Sequence, residues 1–309
     1  MSRYIVTGAN RGLGFEIARH LAAEPGHSVI LAVRDVDHGR RAQARIDGDT
    51  EVAELDLAST ESVQRFVSAY DEPIAGLVNN AGIQFNDATH WTAEGLEQTF
   101  AVNHLNALRL TYGLRDRLRG GRVMFIGSGT HHPKHPTATH FGFRGEQFRS
   151  IRNCARGLDT SERPDQLGKD RYATTKFLNM ITTVAMARRF EADQLFVLCL
   201  DPGLMPGTDL ARTAPALLRF GWHYVLPIVA RMLPDTSTTA RSGRQAARLM
   251  TADRGDLKHG GIYAHDGRLS KRVSSRVFDT DLGDRVLEES LAIGAASGPI
   301  AHAPTRQDS

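Results

Sequence analysis

Short apolar runs alternate along this chain with longer stretches whose apolar residues recur at helical spacing. The short runs, Tyr4–Thr7, Ser28–Val33, Glu51–Leu55, Gly76–Asn79, Arg122–Gly127, Gln194–Leu200 and Gly261–Ala264, predict strands. Helical periodicity covers Leu13–Ala23, Thr60–Tyr70, Ala93–Leu118 with a break, Tyr172–Phe190, Thr238–Met250 and Leu282–Ile293. Strands that are apolar throughout and separated by helices predict a parallel sheet covered on both faces. Right-handed crossovers then make it a Rossmann-type, doubly wound α/β fold of about seven strands.

Two stretches break this rhythm, Thr130–Lys169 and Leu204–Ser237. With no internal repeat and no linker, the pattern predicts one catalytic domain over residues 1–298, with an insertion at about 130–169 and a substrate loop at about 204–237. Residues 299–309 hold two prolines and many polar side chains and are expected to be disordered.

Composition narrows the function classes. A net charge of +3 over 309 residues is too small to argue for nucleic acid as a partner. Two distant cysteines, Cys154 and Cys199, and no CxxC point to a reduced, cytoplasmic protein without a structural metal. No signal peptide is expected, since Tyr4–Val6 already reads as a strand. The most apolar long stretch, Pro215–Leu233, is interrupted by Arg219, His223, Pro227 and Arg231. That argues against a spanning helix and leaves at most surface contact with a membrane. Homo-oligomerisation stays open.

Thr7-Gly8-Ala9-Asn10-Arg11-Gly12-Leu13-Gly14 follows the first strand and opens the first helix. A dinucleotide diphosphate needs bare backbone N–H groups and the positive end of a helix dipole at such a place. The spacing is GxxxGxG rather than GxGxxG. At the end of the second strand, where an acid would grip a ribose 2′-hydroxyl, the chain has Val33 followed by Arg34. Arg34, with Arg11 in the turn, can meet a 2′-phosphate, which points to NADP(H). The bland reading pairs Arg34 with Asp35 at the surface.

Tyr172 and Lys176 are four residues apart on one helical pattern and share a face. A tyrosine with a pKa of about 10 is a poor base at neutral pH, and a nearby ammonium would lower that value. Taken alone the spacing is common. It gains weight from Asn79-Asn80-Ala81-Gly82 after the fourth strand, Asn103 in the next helical segment and Ser128 after the fifth strand.

In this order, these residues resemble the short-chain dehydrogenase/reductase family over residues 3–265. The resemblance implies a catalytic tetrad of Asn103, Ser128, Tyr172 and Lys176. Tyr172 would be the general acid/base, and Lys176 would lower its pKa and hold the nicotinamide ribose. Ser128 would bond the substrate oxygen and Asn103 would position a water. It also implies that Asp56 meets the adenine beside Leu57, that the Asn79–Gly82 turn lines the cofactor groove, and that Pro202 and Gly203 flank the nicotinamide. The hydroxyl residue expected five positions after that proline is displaced by one, since Gly207 holds the place and Thr208 follows.

Ser128 and Tyr172 are 44 positions apart, a longer run than in short family members. It carries His131, His132, His135 and His140, whose spacing matches no standard zinc pattern. A rim or surface role is expected instead. The run, together with Ala32-Val33-Arg34-Asp35, resembles the carbonyl-reductase, retinol-dehydrogenase and protochlorophyllide-reductase branch. With Leu217, Leu218, Phe220, Trp222, Tyr224, Leu226 and Ile228, which could equally form a helical core face, an oligomer contact or a membrane-surface helix, it suggests a bulky, largely apolar small-molecule ketone, aldehyde or alcohol as substrate. Two alternatives remain at this stage. One is a light-dependent protochlorophyllide-type reductase of a C=C bond, although Cys154 lies 18 residues before Tyr172. The other is a non-catalytic NADP(H) sensor, which would need no proton relay.

Overall fold

Seven strands form one parallel sheet in the order β3-β2-β1-β4-β5-β6-β7. They are β1 Ser2–Thr7, β2 His27–Val33, β3 Asp49–Glu54, β4 Gly76–Asn79, β5 Gly121–Ile126, β6 Leu195–Asp201 and β7 Ile262–Ala264. The computed structural model describes residues 1–158, 163–205 and 235–293. Thr208, most of the expected substrate loop and the expected disordered tail lie outside the described residues.

Alternation along each strand sends side chains into two cores. Ile5, Ile30, Leu77, Val123 and Val197 face one side, and Val6, Leu31, Val78, Met124 and Leu198 the other. The second face is covered by α1 (Gly12–Ala22), with α2 (Val36–Gln43) packing beside it. The first face takes α3 (Thr60–Ser68) and a broken helix: α4 (Gln98–Phe100), a wider π turn over Ala101–Leu105, and α5 (Asn106–Gly113). The break expected within Ala93–Leu118 is this π turn, and Asn103 sits in its middle. Such turns aim a side chain differently from a regular helix, and they recur at functional sites.

The long run before Tyr172 holds two short helices, α6 (Pro136–His140) and α7 (Ile151–Ala155). The next helix, α8, spans Pro164–Arg189, so it starts two turns earlier than the sequence pattern suggested. Proline at its first position and Asp165 in its first turn favour that start. The polar Pro164–Lys169 segment hid it, having no apolar period to read. Finally α9 (Thr239–Thr251) packs beside α1 and α10 (Thr280–Ile293) beside α8.

Strand order reverses between β1 and β4. Connections run one way to β2 and β3 and the other way to β5, β6 and β7, so a crevice opens beyond the carboxyl ends of β1 and β4. Among the described residues, no helix is long and apolar enough to cross a membrane.

Candidate active site

A single cleft of about 1910 Å³ occupies that crevice. The glycine turn forms its floor at one end. Gly8 and Gly12 adopt φ of 66° and 57°, in the left-handed region that disfavours side chains. A Cβ on Gly14 would meet Gly8 O at 2.5 Å and collide with Asn80 Nδ2, so glycine lets α1 abut the turn. No side chain caps the amino end of α1 and its first turn holds no acid. Those free N–H groups, with open space around Gly12, fit a diphosphate.

The residues expected to line the groove divide into wall and scaffold. Thr7, Gly8, Asn10, Arg11, Gly12, Leu13, Asn80, Ala81 and Gly82 line the cleft, whereas Gly14, Asn79 and Asn103 stand behind its lining. Thr7 is buried, and its Oγ1 accepts from the backbone N–H of Asn80 at 3.0 Å and of Ala81 at 2.9 Å. Asn79 turns away from the groove and donates from Nδ2 to Thr111 Oγ1 at 2.9 Å.

At the far end lie Arg34, Asp56 and Leu57, along with Asp35, His38 and Ala58, which the sequence motifs do not mark as site residues. Asp35 does not pair with Arg34. Its carboxylate caps α2, accepting from His38 N at 2.9 Å, and contacts His38 Nδ1 at 2.5 Å. These bonds hold the Asp35 carboxyl below its ordinary range. Arg34 is exposed toward the cleft, with its acidic neighbour occupied. Asp56 accepts from Ala58 N at 2.9 Å, which shapes the turn beside that pocket end.

Tyr172, Lys176 and Ser128 converge on the middle of the cleft. Lys176 Nζ lies 5.3 Å from the Tyr172 ring centroid and donates to Ile126 O at 3.0 Å. Ser128 caps the turn that follows β5, its Oγ accepting from Thr130 N at 3.3 Å. Asn103 ties two loops together. Its Oδ1 accepts from Ile83 N at 2.7 Å, while Nδ2 donates to Ile83 O at 2.9 Å and Thr175 Oγ1 at 3.1 Å.

Burial first, and then the Asp201 carboxylate, push the Tyr172 phenol above its ordinary value. Burial pulls Lys176 itself down to about 8. Asp201, at the end of β6, acts on the phenol in the same direction as burial. Asp201 lines the cleft and accepts from Gly203 N at 3.1 Å. The Asp-Pro-Gly motif was visible in the sequence, but nothing there told which way its carboxylate would bias Tyr172.

The insertion builds a wall beside Tyr172. Ala138 and Phe143 pack on Ala173 with Phe141 and Tyr172 at the edge, and the Phe143 and Tyr172 ring centroids are 6.2 Å apart. Its histidines play separate parts. His131 is buried, with Nδ1 on Ser128 O at 2.6 Å and Nε2 accepting from Ser274 N at 3.2 Å. His135 lines the cleft 3.9 Å from Asp235, whereas His132 is half-buried and His140 exposed. Among the described residues no three His, Cys, Asp or Glu side chains gather around a metal position. Cys154 borders a separate small cavity with Glu97 and Arg171, away from Tyr172.

The profile of the short chain dehydrogenase family matches residues 3–142. Human retinol dehydrogenase 12 is 30% identical over 258 residues, covering 79% of this chain and 71% of that protein. Mouse retinol dehydrogenase 11 is 32% identical over 231 residues, 71% of this chain and 66% of its own length. A solved structure from Mycobacterium paratuberculosis superposes with a TM-score of 0.68 at 25% identity, covering 94% of both chains.

Proposed function

Because the chain belongs to the short-chain dehydrogenase family, in its retinol-dehydrogenase-like branch, it is a hydride-transferring oxidoreductase, and we propose that it is an NADP(H)-dependent reductase of bulky, largely apolar ketones or aldehydes. The observation that carries this reading is that Tyr172, Lys176 and Ser128 share one cleft with the glycine turn.

The Gly8–Gly14 turn would hold NADPH, which when bound would supply the hydride for the carbonyl carbon. Arg34 gives the 2′-phosphate a guanidinium, since Asp35 is engaged by His38 and the α2 cap. Ser128 orients the carbonyl oxygen, and Tyr172 donates the proton that the developing alkoxide requires. Lys176, fixed on Ile126 O, keeps a positive charge beside that oxygen and the cofactor ribose. Asn103 holds the Ile83 loop to α8 and, in this reading, positions the water of the proton relay. The Phe141–Phe143 wall favours an apolar substrate body. A cytoplasmic setting is part of this proposal, since the chain holds two distant cysteines and no CxxC.

The test is consumption of NADPH and NADH with a panel of aldehydes and ketones of increasing apolar size. NADPH should give the higher kcat/KM, and Arg34→Ala should erase that preference. Tyr172→Phe should still bind NADPH while turning nothing over. Equal use of both cofactors, or a preference that survives Arg34→Ala, would remove the NADP(H) assignment.

A further inference from the structure

Lys169 stands on α8 one turn before Tyr172 and lines the same cleft. Three residues at helical rise put its Cα about 4.5 Å nearer the helix amino end. Asp165, Lys169, Tyr172 and Lys176 thus form one stripe facing the cavity.

The other charges near Lys169 are matched. Asp165 accepts from Arg163 Nε and Nη2 at 3.3 and 3.0 Å. Asp170 is held by Arg144 Nε at 3.2 Å and Gln166 Nε2 at 2.8 Å. Lys169 has no hydrogen bond and no ion pair within 4 Å among the described residues, although its charge is felt by Asp165 one turn earlier on the stripe.

Its ammonium is also set in place. The half-buried side chain lies against the Gly142 turn, where a Cβ would come within 3.0 Å of Nζ. That turn joins Phe141 and Phe143, the aromatic wall beside Tyr172. A half-buried lysine facing a cleft gains more from an anion than a fully exposed one does.

We propose that Lys169 binds a carboxylate on the substrate, so that the preferred carbonyl compounds join an apolar body to an acid group roughly one helical turn from the reacting carbonyl. This rests on the carbonyl-reductase reading above and names the substrate class within it. Asp165, the remaining carboxylate on the stripe, is paired with Arg163 at 3.0 Å, which reduces its repulsion of such a group.

The test compares 4-carboxybenzaldehyde with its neutral methyl ester, methyl 4-formylbenzoate, in wild type, Lys169→Met and Lys169→Arg. NADPH consumption gives KM and kcat, and calorimetric titration of the acid into enzyme with NADP⁺ gives Kd without turnover. Lys169→Met should raise KM and Kd for the acid roughly tenfold while leaving kcat and the ester unchanged, and Lys169→Arg should keep the preference. An acid-to-ester ratio and an acid Kd that are the same in wild type and Lys169→Met would overturn the proposal, even if both aldehydes are reduced well. Acid binding that depends on Lys169 without turnover of either aldehyde would uphold the site and remove the reductase reading instead.

Discussion

Thr7 and Asn80 grip each other across the crevice: Thr7 Oγ1 accepts from Asn80 N at 3.0 Å, and Asn80 Nδ2 donates to Thr7 O at 2.8 Å. The pair joins the ends of β1 and β4 beneath the cofactor groove. Thr7→Val keeps the shape but removes the acceptor, stranding the N–H groups of Asn80 and Ala81. A loss of about 1–3 kcal/mol in urea unfolding is expected, with a raised Kd for NADPH. Unchanged stability and binding would show that the clamp is dispensable.

Burial sets the pH response of the site. Lys176 titrates near 8 and Tyr172 is pushed above its ordinary value. The basic limb of reductase kcat/KM is therefore expected near pH 8 and belongs to Lys176, while Tyr172 keeps its proton. Residual activity of Lys176→Arg should lack that limb, because a guanidinium stays charged. The sign for stability follows from proton counting. Between pH 8 and 10.5 the native chain has released a proton that the unfolded chain retains, so this group makes stability rise with pH across that window.

His104 lies fully buried between Asn179 Oδ1 at 3.3 Å and Ser290 Oγ at 3.0 Å. Burial lowers its pKa from 6.5 to about 4. Above pH 6.5 it is neutral in both states and its contribution is complete. As pH falls toward 4 the unfolded chain gains a proton that the native one refuses, and about 3 kcal/mol is lost. Thermal melts from pH 7 to 4 should show this fall, and His104→Gln should flatten it. Parallel curves for the two proteins would contradict the assignment.

Gly168 brings α8 against the loop that carries Phe85 and Asn86. A Cβ there would collide with Phe85 O and stand 2.9 Å from Asn86 Oδ1. Gly168→Ala must displace the helix one turn before Tyr172. A destabilisation of about 1–3 kcal/mol and a lower kcat are expected. Wild-type kcat would mean that the loop yields instead of the helix.

Much of the site was readable because its signals are local. The glycine turn, the four-residue step from Tyr172 to Lys176 and the apolar strands follow from backbone sterics and helical or strand periodicity. The helix start at Pro164 was also readable in principle, since proline followed by aspartate marks a first turn. Using that signal would have put Lys169 on the Tyr172 face rather than in an irregular insertion.

The sequence by itself determined the sheet of seven parallel strands, the phosphate turn and the pair of residues fit for proton transfer, because each rests on neighbours a few positions apart. Only the tertiary structure decided how those groups are biased. Asn103 bonds Ile83 and Thr175, 72 residues away, and burial together with Asp201 from β6 raises the Tyr172 pKa. Burial and the nearest charge set a pKa, and both depend on segments that meet only when the chain folds.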